Sequence, residues 1–225
     1  MKKIALVLIG IMALGCSTNS ESKNPFENLT YYKFTNDDNS NLLLNFNLDN
    51  SIIYKNQDGE TIVFEVKDYL KNKSTYSKGS FLSNSSIEYY RFDQQQLILS
   101  LVDLPYLSNQ IEVKHERHPL NFNPNIYPHK KKASSFNSYI EFPFWNGYLG
   151  DDEYDITIIL DYNIQVTSMS FNNTTYNNVR IIESGNTETI NPQLDYPRNV
   201  HILYYDTEYG VIGFNDLEGN HWRLD

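Results

Sequence analysis

Cysteine occurs once in the 225 residues, at Cys16, so no intrachain disulfide can support the fold and packing must do so alone. The apolar run from Ile4 to Leu14 falls well short of the ~20 residues that a helix needs to cross a bilayer. Positive charge is scarce: 18 Lys and Arg against 28 Asp and Glu give a formal charge of -10, which disfavours nucleic acid and anionic lipid as partners of the surface as a whole. No Gly-x-Ser-x-Gly elbow, P-loop, His-Glu-x-x-His helix or dinucleotide glycine fingerprint is present. Nucleophilic hydrolysis, nucleotide binding and zinc proteolysis thus lack local support, and no catalytic residue or cofactor is expected. The acidic stretches "NDDN" (Asn36 to Asn39) and "DDEYD" (Asp151 to Asp155) miss the ligand spacing and glycine of a calcium loop, and read as surface turns.

What is present begins with Met1, Lys2 and Lys3 ahead of the apolar run, the layout of a secretory signal. Ala13, Leu14, Gly15 and Cys16 close it, and together they resemble the lipobox of bacterial lipoprotein signal peptides, with Ala13 where that family most often has leucine. The resemblance implies cleavage between Gly15 and Cys16 and lipidation of the Cys16 thiol, often with a further acyl chain such as palmitate on the new terminus. One chain holds a protein only marginally, whereas two anchor it stably. The expectation is a signal peptide over 1–15 and a protein tethered to the bacterial cell envelope, at the outer membrane. Loss of Lys2 and Lys3 would take the formal charge from -10 to -12. Residues 16–24 read as a lipidated flexible tether, whose "STNSESKN" spans about 28 Å fully extended.

From Pro25 onward, 25–225 reads as one mainly β domain: an antiparallel curved sheet, partial barrel or sandwich with little helix. Its 18 Tyr, 12 Phe and many Ile and Val favour strands, and Asn, Asp, Ser and Gly clusters separate the apolar runs. In "SIIYKNQDGETIVFEV" the Asp58-Gly59 pair predicts a hairpin. Val66, Tyr69 and Leu70 have helical spacing, but Val63 and Phe64 favour a strand that runs into a loop. Ile87 to Phe92 and Leu97 to Leu101 read as two strands separated by a polar turn at Gln94 to Gln96. "YDITIILDYNIQVTSMSF" alternates with period two around a turn at Asp161 to Asn163, and Gly210 to Phe214 with His221 to Leu224 form the last hairpin.

The main break is the proline-, histidine- and lysine-rich 114–135, a crossover joining the two halves. His115 and His118 would share one face of a helix, but "EVKHERHP" reads as a strand end, where they point apart. A metal site thereby loses its geometry, and this segment is expected to be a solvated basic loop. In "YIEFPFWNGYLG", Phe142, Phe144, Trp145 and Tyr148 crowd a stretch broken by Pro143 and Gly147, which either lines a ligand groove or plugs the core.

Near the C-terminus, Tyr176, Asn178, Val179, Tyr204, Tyr205, Tyr209, Gly210, Gly213, Phe214, Gly219 and Trp222 form a pattern that resembles the tail of uncharacterised β-rich bacterial envelope lipoproteins. Some of those are similar to half-barrels that cradle lipids or lipoproteins, so the resemblance implies a fold more than an activity. On residues alone, Gly210 and Gly213 leave room for a bulge or close backbone approach, and Tyr204, Trp222 and Leu224 are expected on one face. The function expected is a membrane-anchored, non-enzymatic module that binds an apolar ligand or an envelope protein. The alternatives are a surface glycan-binding or glycan-processing accessory protein and a purely structural lipoprotein.

Overall fold

Period-two alternation becomes strand along most of the chain. The computed structural model describes residues 28–44, 46–78, 88–103, 110–120, 134–142, 156–184 and 200–225. In chain order these form β1 (Thr30–Tyr32), helix α1 (Asn36–Asn39), β2 (Ser51–Lys55), β3 (Thr61–Lys78), β4 (Glu88–Leu101), β5 (Gln110–Pro119), β6 (Ser134–Phe142), β7 (Ile156–Ile159), β8 (Thr167–Phe171), β9 (Thr174–Glu183), β10 (Val200–Asp206), β11 (Gly210–Asp216) and β12 (His221–Leu224). All twelve strands belong to one sheet of order β7-β6-β5-β4-β3-β2-β12-β11-β10-β9-β8, with β1 added in parallel to β4 and every other pairing antiparallel. The sheet curls into a half-barrel, as the mainly β, antiparallel, curved reading of the sequence expects.

Connectivity requires the curl. β7 and β8 lie at opposite ends of the strand order, yet only Leu160 to Val166 join them. That linker spans at most about 28 Å, whereas a flat sheet of this order would be about 48 Å wide at ~4.8 Å per strand.

Short-range chemistry sets the turns. In the β2-β3 hairpin Gly59 takes φ 85°, and the Asn56 side-chain oxygen accepts from the N–H groups of Asp58 (3.1 Å) and Glu60 (2.9 Å). Asp216 repeats the device before β12, accepting from Glu218 N (3.0 Å), Asn220 N (2.8 Å) and Trp222 Nε1 (3.0 Å). "NDDN" forms α1 rather than a surface turn: Thr35 and Asp38 make a capping box, and buried Asp38 takes Arg117 Nη1 at 3.0 and 3.1 Å.

Two segments differ from the sequence reading. β3 runs unbroken past Tyr69, because a bulge between Val66 and Asp68 shifts the register and returns Tyr69 to the face of Val66 and Leu97. The helix-like spacing of Val66 and Tyr69 is therefore a bulge signature. β4 likewise passes straight through Gln94 to Gln96. Gln95 is 1% exposed, and its amide accepts from Leu43 N (2.8 Å) and donates to Leu43 O (2.9 Å), so a polar residue sits in the core fully paired.

The inner face is filled with side chains. Trp222, Tyr54, Tyr205, Phe64, Phe142 and Phe214 are the largest of the fully buried ones, and Leu42 and Leu43 are buried as well. Tyr204 and Trp222 lie on opposite faces, contrary to expectation. Register puts Phe214 opposite both Leu203 and Trp222 on the inner face, while Gly213 faces Tyr204 and Arg223 on the outer one.

Candidate binding groove

Alternation along β5 separates two chemistries. Ile111, Val113 and His115 point inward and are completely buried, while Glu112, Lys114, Glu116 and His118 point outward. His115 is thus not part of a solvated basic loop: burial pushes its imidazole down to about 3, and Ser138 Oγ lies 2.6 Å from its Nδ1. Lys114 to Pro119 belong to β5, and Ser134 and Ser135 to β6, so the break between the halves is shorter than 114–135. The two histidines do point apart, as the strand reading requires.

Register then gathers an aromatic and polar surface outside the sheet. β6 sets Tyr139 opposite Lys114, Asn137 opposite Glu116 and Ser135 opposite His118. The far end of the β3-β4 ribbon adds Tyr76 opposite Tyr90. Two cavities of about 560 and 430 Å³ share His118 and Asn137 and so form one groove. Glu116, Tyr139, Glu141 and Ile159 line its first part, and Tyr76, Tyr90 and Leu120 its second. The volume is that of a small-molecule or oligomer site.

The floor of the groove is held rigid. Burial pushes the Tyr90 phenol up to about 12, so it stays protonated; its oxygen is 3.1 Å from His118 Nδ1, and His118 Nε2 is 2.7 Å from a Glu116 oxygen. The His118 ring lies 4.4 Å from that of Phe92, and Tyr32 meets Tyr90 edge-on at 5.7 Å. Lys114 Nζ pairs with Glu112 at 2.8 Å and lies 5.5 Å above the Tyr139 ring. Burial opposes ionisation of Glu112, but the hydrogen bonds with Lys114, Glu141 and Gln96 and the Lys114 charge together outweigh it and hold the carboxyl below its usual range. Tyr76, 51% exposed, opens its ring to solvent at this end of the groove.

Of the sequence candidates, Phe142 is fully buried on the inner face, 4.9 Å from the Phe214 ring. Phe144, Trp145, Tyr148 and Cys16 lie outside the described residues. Sequence reading missed Tyr76, Tyr90, Asn137 and Tyr139. The available signal was alternation, since in "SYIEF" Tyr139 and Glu141 must face away from Ile140. Among the described residues no group of three or more His, Cys, Asp and Glu could hold a metal ion. No known protein family matches the sequence, and no curated protein or solved structure is significantly similar to it.

Proposed function

We propose that the protein is a lipoprotein of the bacterial envelope, anchored at the outer membrane through Cys16, and that its β domain is a non-enzymatic module which binds a neutral glycan in the outward groove. The observation that carries the ligand class is the pairing of open aromatic surface with fixed polar groups. Tyr76 and Tyr139 offer rings to the C–H faces of sugars, while Asn137, Glu116 and Glu141 offer hydroxyl partners. Among the described residues here, Glu112, Glu116 and Glu141 outnumber Lys114, a balance that repels polyanionic glycans. A second reading, an apolar ligand, draws support from a separate 380 Å³ cavity bordered by Leu44, Phe46, Ile52, Ile53 and Leu224. Within the half-barrel the described core around Phe64, Phe214 and Trp222 is filled.

Calorimetry of the full chain in non-ionic detergent against neutral oligosaccharides, uronate oligosaccharides and octanol tests this directly. Neutral oligosaccharides should bind, with Tyr76→Ala weakening them about tenfold, or ~1.4 kcal/mol. Binding of octanol alone would favour the second reading, and neutral-sugar binding indifferent to Tyr76→Ala and Tyr139→Ala would remove the groove from it.

A further inference from the structure

Arg180 stands on the inner face of β9, directly opposite Tyr205 of β10, and is 8% exposed. Its Nε is buried without a hydrogen-bond partner, and it takes part in none of the ion pairs among the described residues. Two other arginines of this sheet are satisfied. Arg117 holds both oxygens of Asp38, and Arg223 donates to Asn215 Oδ1 and to the carbonyls of Phe214 and Trp222. The Tyr162 ring lies 4.8 Å from its guanidinium carbon. That face-on contact leaves the guanidinium edge free for a ligand, and the Nε in that edge is buried without an acceptor, a costly arrangement for a charged group.

Its neighbours are neutral. Tyr162 Oη lies 3.1 Å from Ser138 Oγ and 3.4 Å from His115 Nδ1, and Tyr205 Oη lies 3.5 Å from His115 Nε2. Burial raises both phenols well out of the neutral range, so both remain O–H groups. The free edge of a guanidinium fork matches the oxygens of a phosphate or carboxylate.

We infer that Arg180 is the receptor for a small oxyanion, a phosphate or carboxylate group, bound at the inner face of β9 and β10 with Tyr162 and Tyr205 beside it. This site is separate from the outward groove and stands whether or not glycans bind there. The oxyanion is either free or the headgroup of an amphiphile.

Thermal unfolding of the full chain in detergent, at constant ionic strength set with chloride, tests it with inorganic phosphate and octyl phosphate as probes. The wild type should gain several degrees in Tm as either probe rises, and Arg180→Met should abolish the gain. Without a probe, Arg180→Met should melt at or above the wild-type temperature, because an apolar side chain replaces an unpaired buried charge. A mere strut for Tyr162 would melt lower. An octyl phosphate response at tenfold lower concentration than phosphate identifies a headgroup, and equal responses identify a free anion. Should Arg180→Met not fold, Arg180→Lys serves, with the phosphate response shifted to about tenfold higher concentration. Absence of any shift in the wild type overturns the proposal, as does a shift that the variants retain unchanged.

Discussion

Gly213 has no space for a side chain. A Cβ there would lie 2.6 Å from the Trp222 carbonyl oxygen and 3.1 Å from Arg223 Cδ, and the first of these is backbone that cannot swing aside. Arg223 crosses this gap to reach Tyr204, its guanidinium carbon 4.4 Å from the ring. Gly213→Val should cost at least 1–3 kcal/mol, the usual range for overpacking, read as a lower urea midpoint; an unchanged midpoint would refute the close approach. His115 makes a prediction of pH dependence. Its folded pKa, about 3, lies below the ordinary 6.5, so the unfolded chain binds a proton that the folded chain refuses, and stability present above pH 6.5 is lost as pH falls. Between pH 7 and 5 this amounts to about 2 kcal/mol. Urea titrations should show that loss in the wild type and not in His115→Gln, and parallel pH curves would count against it. At Cys16, replacement by Ala should abolish incorporation of labelled palmitate, and persistence of the label would end the lipoprotein reading.

Among the elements, hairpins were the most legible because their chemistry is local. Asp58-Gly59 specifies its turn through one positive φ and one side-chain cap, all within five residues. β4 was not legible as one strand, because three successive glutamines look like a turn until Leu43 is known to lie beside Gln95. That contact joins residues 52 positions apart. Gln95→Leu leaves the Leu43 N–H buried without an acceptor, while Tyr69 Oη still donates to Leu43 O at 2.8 Å. Destabilisation of about 1–3 kcal/mol is expected from denaturant unfolding. A neutral result would mean that the amide is dispensable. The bulge in β3 was hidden for a related reason: Val66 and Tyr69 show a spacing of three, and only pairing with β4 says that a strand carries it.

For the whole molecule, the short β7-β8 linker reports the curl, and packing holds it. Tyr162 in that linker packs against the inner core, and its hydroxyl donates to Asn41 O at 3.3 Å. Lengthening the linker by four Gly and Ser residues between Ile164 and Gln165 should therefore cost only about 0.5 kcal/mol, the entropy of a slightly longer loop. Collapse of the cooperative thermal transition would instead make the linker the clasp. The groove belongs to this scale too, since Tyr76, Tyr90, His118 and Asn137 come from four strands.

What the sequence by itself determined was strand character, the tight turns and the opposition of His115 to His118, because alternation and turn chemistry act between near neighbours. Only the tertiary structure decided that β7 and β8 end a single curled sheet, that Gln95 and His115 are interior, and that Arg180 lies buried beside Tyr162. Those outcomes depend on which distant strands pair and which face closes inward, and no local pattern along the chain encodes either choice.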